Sequence, residues 1–141
     1  FALVASANSI SPERKEYVHE GYTVTYCATQ NTEYSSTVEV TIQNTGNSTI
    51  KGWAVEYMSA DTIDNIWNAD VYCITDDGYP IINCTTYNLD IKPNESVSFG
   101  YAIDTNTFAP DDIKLSQLRM EKEYGFDVNF FVIFSWLFIN T

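Results

Sequence analysis

The 141-residue sequence has one histidine, three cysteines, four prolines, six glycines and only 7 Lys+Arg against 19 Asp+Glu. Each shortage excludes something. A formal net charge of −12 repels phosphates and leaves few cations to displace their counterions, so nucleic acid is not a partner. Anionic membrane surfaces are disfavoured for the same reason. With His19 as the sole histidine, no Ser-His-Asp or Cys-His constellation assembles within a folded core. HExxH, P-loop and dinucleotide-binding signatures are missing, as is EF-hand spacing, so neither an enzyme nor a cofactor is expected. The acidic neighbours Asp76-Asp77 and Asp111-Asp112 are adjacent in extended chain and point apart, unlike the facing carboxylates of a glycoside hydrolase. Cys27, Cys73 and Cys84 permit at most one internal disulfide, and without a CxxC pair they do not suggest zinc. Cys73 and Cys84 flank the turn sequence Thr75-Asp-Asp-Gly and are the natural disulfide partners; reduced, buried thiols are the other reading. Long apolar runs are also lacking. The longest, Phe130 to Phe134 and then Trp136 to Ile139, is too short to span a bilayer and has no basic flanks.

Aromatic surface, in contrast, is abundant: 10 Tyr, 8 Phe and 3 Trp. That is more than a solvated acidic coil carries, and it provides for one domain with a real core. Period two dominates the pattern. Tyr22, Val24 and Tyr26 alternate with threonines; Val38, Val40 and Ile42 alternate with Glu39, Thr41 and Gln43. Trp53, Val55 and Tyr57 form a third alternating run, and Val97, Phe99, Tyr101 and Ile103 a fourth. Each run puts an apolar face inward, as a half-buried antiparallel strand requires. Turn clusters lie between them, at Asn44-Thr-Gly-Asn, Asp76-Asp-Gly and Lys92-Pro-Asn-Glu. The fold class is therefore all-β: an antiparallel β-sandwich of immunoglobulin-like or jelly-roll type.

The core module spans residues 21–104. Residues 1–20 show little periodicity and a mixed-charge patch, Glu13-Arg-Lys-Glu, and read as a leader or linker. The opening Phe1-Ala-Leu-Val-Ala-Ser-Ala fits the tail of a signal peptide or an ordinary linker of a longer precursor. Residues 105–124 read as a connector or edge strand. Residues 125–141 echo an earlier segment: Gly125-Phe-Asp-Val-Asn-Phe repeats the Gly-aromatic-Val-aromatic pattern of Gly21-Tyr-Thr-Val-Thr-Tyr at an offset of 104. Two readings fit, the last strand of this sandwich or the start of a second module copy. Asn47-Ser-Thr, Asn83-Cys-Thr and Asn94-Glu-Ser match the N-glycosylation pattern.

Four separated phrases then recur in a familiar order and spacing. They are Val38-Glu-Val-Thr-Ile-Gln-Asn-Thr-Gly, Ile50-Lys-Gly-Trp-Ala-Val, Ile63-Asp-Asn-Ile-Trp-Asn-Ala, and Tyr87-Asn-Leu-Asp-Ile-Lys-Pro-Asn-Glu-Ser-Val-Ser-Phe-Gly-Tyr. Over residues 21–104 the chain resembles the family 2 carbohydrate-binding modules, the cellulose- and xylan-binding β-sandwiches attached to plant-cell-wall hydrolases. The resemblance implies a secreted or cell-surface, non-catalytic module whose partner is a polysaccharide such as cellulose or xylan, joined to a glycoside hydrolase or to tandem copies. It also makes Trp53 a packing residue, in agreement with the inward face that Trp53 shares with Val55 and Tyr57.

Trp67 and Tyr87 are the sharper cases. Trp67 sits among Asn65, Asn68 and Ala69, and Tyr87 within Thr85-Thr-Tyr-Asn, where a large aromatic has less reason to be buried. An exposed, rigid aromatic offers a flat apolar surface to the C–H face of a pyranose at small entropic cost. Neighbouring amides such as Asn68 and Asn88 suit the rim hydroxyls. These four are the candidate ligand-binding residues. The chain departs from the family pattern in two ways. The third aromatic of the usual platform falls at Gln30 to Thr32, where none stands, while Tyr34 matches a nearby aromatic that packs inward. The disulfide that joins the module's ends has no counterpart, since no cysteine follows Cys84. Trp136 falls where a second copy would supply its own first aromatic, restoring an array by avidity. The alternative function is a structural or protein-interaction β-sandwich of a repetitive surface protein that has lost glycan binding.

Overall fold

The computed structural model describes residues 13–59, 63–104 and 108–116. The leader reading of residues 1–12 and both readings of residues 125–141, Trp136 included, lie outside the described residues. Eleven strands are present among the described residues: β1 (Glu13–His19), β2 (Tyr22–Gln30), β3 (Ser35–Asn44), β4 (Ile50–Lys51), β5 (Ala54–Tyr57), β6 (Asp64–Trp67), β7 (Asp70–Ile74), β8 (Pro80–Asn83), β9 (Asp90–Ile91), β10 (Ser96–Asp104) and β11 (Ile113–Leu115). A five-stranded sheet has the order β1-β2-β3-β10-β6, a four-stranded sheet the order β11-β5-β8-β7, and β4 and β9 form a two-stranded ribbon. Every pairing is antiparallel, so the fold is an all-β sandwich.

The alternation read from the sequence sets the inner faces. Val24, Tyr26, Val38, Val40, Ile42, Phe99 and Tyr101 are buried from the larger sheet, against Val55, Tyr57, Ile82 and Ile113 from the smaller. Aromatic pairs join the layers: the Trp53 ring stacks on Phe99 at 5.7 Å between centroids, and Tyr57 meets Tyr101 edge-on at 5.9 Å. The Tyr57 and Tyr101 hydroxyls bond each other in the core. Such pairs add roughly 0.5–1.5 kcal/mol to the area they bury. Trp53 is fully buried, as its place on the Val55 and Tyr57 face implies.

Two expectations need correction. Glu13–His19 is not a leader or linker: it is edge strand β1, paired along its whole length with β2. Only Tyr17 is buried there; its hydroxyl donates to the Pro110 carbonyl. One inward side chain among charges gives no readable alternation, and charge on an edge strand discourages strand addition. His19 likewise belongs to the fold, stacked on Tyr22 at 4.6 Å with Nε2 3.0 Å from the Ile113 carbonyl and 3.1 Å from Asp112 Oδ1. The second correction concerns Cys73 and Cys84, which no disulfide joins to each other or to Cys27. In the β7–β8 register Cys73 faces Ile81 while Asp70 faces Asn83. Cys84 therefore lies about three strand positions, on the order of 10 Å, from Cys73, beyond the Cα separation a disulfide spans.

Candidate functional site

β6 is the outer strand of the five-stranded sheet, next to β10, with Trp67 opposite Gly100. Phe99 and Tyr101 point into the core, so position 100 belongs to the outer face. Gly100 is nevertheless buried, because the indole covers it. A β-carbon built on Gly100 would stand 2.5 Å from Trp67 Cε2, 2.5 Å from Cζ2 and 2.6 Å from Nε1. Nε1, Cε2 and Cζ2 follow one another along a single rim of the indole, so it is this nitrogen-bearing side of the ring that packs down over Gly100. Trp67 thus packs against the sheet over Gly100, and 43% of the residue remains exposed.

The backbone around Trp67 is irregular. Asn65 and Asn68 have φ of 50° and 62°, the left-handed region that asparagine tolerates better than most residues. The β6–β10 register also shifts between Gly100 and Ala102, the kind of irregularity that re-aims a side chain.

Tyr87 is 71% exposed, on the loop between β8 and β9. Its hydroxyl donates to Asn68 Oδ1 at 2.6 Å. Asn88 Nδ2 donates to the Asn68 carbonyl at 2.7 Å, while Asn88 Oδ1 accepts from the Thr85 amide at 2.8 Å and the Thr85 hydroxyl at 2.9 Å. The Asn88 carbonyl accepts from the buried Trp53 indole N–H at 2.7 Å. All four residues singled out from the sequence are therefore brought together. Their roles divide. Trp67 and Tyr87 present aromatic surface, Asn88 commits its amide to the protein, and Asn68 uses its side-chain oxygen to hold Tyr87. Sequence reasoning assigned both asparagines to ligand hydroxyls; the structure spends much of that capacity on positioning the tyrosine.

Two further features were missed. Gly100 lies 33 positions from Trp67 in the chain, and only strand pairing reveals the contact. Tyr34, expected to pack inward, is 74% exposed. Ser36, not Tyr34, takes the first buried position of β3. The preceding turn is closed by its own groups: the Asn31 and Thr32 amides donate to the Ser35 carbonyl at 2.9 and 3.2 Å, and the Tyr34 amide donates to Thr32 Oγ1 at 3.1 Å.

The acidic pairs play structural parts. Asp76-Asp77-Gly78 is a turn, with the Gly78 amide donating to the Thr75 carbonyl at 2.9 Å, and Asp112 meets His19. Among the described residues no three His, Cys, Asp or Glu side chains converge to hold a metal ion. A concavity of about 580 Å³ near Gly21, Asn44, Asn47 and Ser116 contains none of the four candidate residues. A ligand that stacks on exposed rings needs no such cavity.

Comparison with known proteins agrees with this architecture. Residues 22–117 match the family described as "Cellulose binding domain", which carries the domain past residue 104 and takes in β11. A stretch of 85 residues is 34% identical to endo-1,4-beta-xylanase A of Cellvibrio japonicus (strain Ueda107), covering 60% of this chain and 13% of that protein. Endoglucanase A of Thermobispora bispora is 34% identical over 65 residues, covering 45% of this chain and 14% of its own length. Chitinase ChiA74 from Bacillus thuringiensis superposes with a TM-score of 0.59 at 22% identity, over 66% of this chain and 15% of that one, a likeness of fold alone. The chain thus spans well under a fifth of each of these proteins. With the family match covering most of its length, the chain belongs to the cellulose-binding domains, the family 2 carbohydrate-binding modules, which are non-catalytic binding modules.

Proposed function

We propose that the domain holds β-linked plant-cell-wall polysaccharide, cellulose or xylan, by stacking sugar rings on Trp67 and Tyr87. It acts outside the cell and keeps an attached glycoside hydrolase, or tandem modules, at high local concentration on the substrate. The observation that carries this reading is the Trp67–Asn68–Tyr87 cluster. An indole laid on the sheet surface and a phenol tied to the next residue present two exposed aromatic rings held in fixed relation. Prepositioned rings lose little entropy on binding.

The relatives named as a xylanase and an endoglucanase support the choice of polysaccharide. Tyr34 supplies an aromatic on the β2–β3 turn, near the place where Gln30 to Thr32 lacks one. Asn68 Nδ2 suits a rim hydroxyl.

The test is depletion binding to insoluble cellulose, xylan and chitin. Wild type is expected on cellulose or xylan. Trp67→Ala and Tyr87→Ala each lose about 2 kcal/mol, the usual size for an aromatic anchor, or more than tenfold in affinity. Equal retention of wild type and both variants removes the stacking assignment. Failure of wild type to bind any of the three leaves the alternative, a sandwich that serves as a structural or protein-interaction unit.

A further inference from the structure

We infer that Gly100 is a positioning residue for ligand binding: its missing side chain is the seat into which the Trp67 indole settles, and that seat sets which ring surface faces outward. The inference rests on the stacking function proposed above.

Glycine in the middle of a strand is unfavourable, because it loses the most backbone freedom and packs nothing. Gly100 sits fifth of nine in β10, and unlike Gly21, Gly52 and Gly78 it does not adopt a positive φ. No turn or left-handed backbone explains it. Space does. Across an antiparallel pair the side chains of opposed residues stand side by side, and here one of the two is absent. The Trp67 ring folds into that gap until a β-carbon would fall 2.5 Å from two ring atoms. The three atoms nearest such a methyl group all belong to the indole, which must move to admit it. Gly100→Ala therefore tilts the ring off the sheet, changing the plane offered to a sugar while leaving Trp67 in the chain.

A purely structural alternative is that Trp67 merely shields a weak glycine in the sheet, a known way of stabilising one. The two differ in what Gly100→Ala does to binding. The experiment compares wild type, Gly100→Ala, Trp67→Ala and the double variant, with three readouts: depletion on the polysaccharide that retains wild type, acrylamide quenching of tryptophan fluorescence, and thermal unfolding. Gly100→Ala is expected to weaken retention by about tenfold, comparable to loss of an anchor, and to raise quenching while the protein stays folded. In the Trp67→Ala background the same substitution changes neither retention nor quenching. Should Gly100→Ala fail to fold, the double variant regains the fold, since the methyl then enters vacated space. Wild-type retention by folded Gly100→Ala overturns the inference, as does an equal further loss in the Trp67→Ala background or a double variant that also fails to fold. If wild type binds no polysaccharide, the stacking function fails by itself. Quenching then decides the seat: a rise on Gly100→Ala upholds it, and no change rejects it.

Discussion

Tyr87 has two parts that act differently, a ring 71% exposed and a hydroxyl held 2.6 Å from Asn68 Oδ1. Tyr87→Phe keeps the ring and cuts the tether, so its cost is that of one exposed hydrogen bond, about 0.5–1.5 kcal/mol. The expected outcome is a loss of several-fold in affinity on the retaining polysaccharide, smaller than for Tyr87→Ala. Equal losses in depletion isotherms would mean that the hydroxyl, not the ring face, contacts ligand. Asn88 is a harder position to change. Its side chain joins the Thr85 turn to the Asn68 carbonyl, so Asn88→Ala loosens Tyr87 without touching sugar. At this scale the sequence was legible wherever the neighbours alone decide the outcome. Trp67 and Tyr87 stand among Asn and Thr, which cannot build a core around them, and both are exposed. Gly100 was illegible because its meaning depends on a residue 33 positions away. Tyr34, which the resemblance put inward, is exposed because it belongs to the turn before β3, closed by backbone bonds to Ser35 and by the Thr32 hydroxyl.

Strands show the same division between local and distant causes. β3 and β10 alternate apolar and polar residues over nine or ten positions, and their inner faces could be read directly. β1 and β11 could not, since both are edges and depend on each other. Lys15 and Tyr17 reach the Pro110 carbonyl, and His19 reaches Asp112 and Ile113. Deleting residues 1–20 should therefore destabilise the domain, by exposing the β2 edge and leaving β11 without its clamp. Urea unfolding checks this: the midpoint should fall, and an unchanged midpoint would return β1 to the status of a linker. The β3–β4 turn has a comparable fastening in Asn44, which is almost fully buried. Its Nδ2 donates to the Ser48 and Ile91 carbonyls at 2.7 and 2.8 Å, and its Oδ1 accepts from the Gly46 amide at 2.9 Å. Asn44→Leu strands three backbone groups, each costing about 1–3 kcal/mol where water cannot replace the bond. Loss of several kcal/mol, read by urea unfolding, is the expected result.

For the whole molecule, the −12 charge and the tyrosine-rich core set different responses to solution conditions. An uncharged polymer gains nothing from that charge, so retention on cellulose or xylan should vary little with salt, in contrast to a phosphate ligand. Alkaline pH acts on the core. Burial first, and then the neighbouring Tyr101, hold the Tyr57 phenol well above its ordinary value; burial, followed by Tyr26 and Asp112, raises Tyr17 as well. A raised phenol favours the protonated, folded form. Below about pH 10, the ordinary tyrosine value, folded and unfolded chains are equally protonated and the full stability is present. Above it the unfolded chain ionises while Tyr57 stays neutral, so stability falls by about 1.4 kcal/mol per pH unit through this residue alone until its folded value is reached. Urea midpoints should therefore hold level up to about pH 10 and then drop, with tyrosinate absorbance from the core appearing together with loss of strand circular dichroism. Tyr57→Phe removes one of these two raised phenols and should flatten the drop, even if it lowers stability at neutral pH. A wild-type midpoint that stays level through the alkaline range would show that these phenols ionise in place, inside a fold that tolerates their charge.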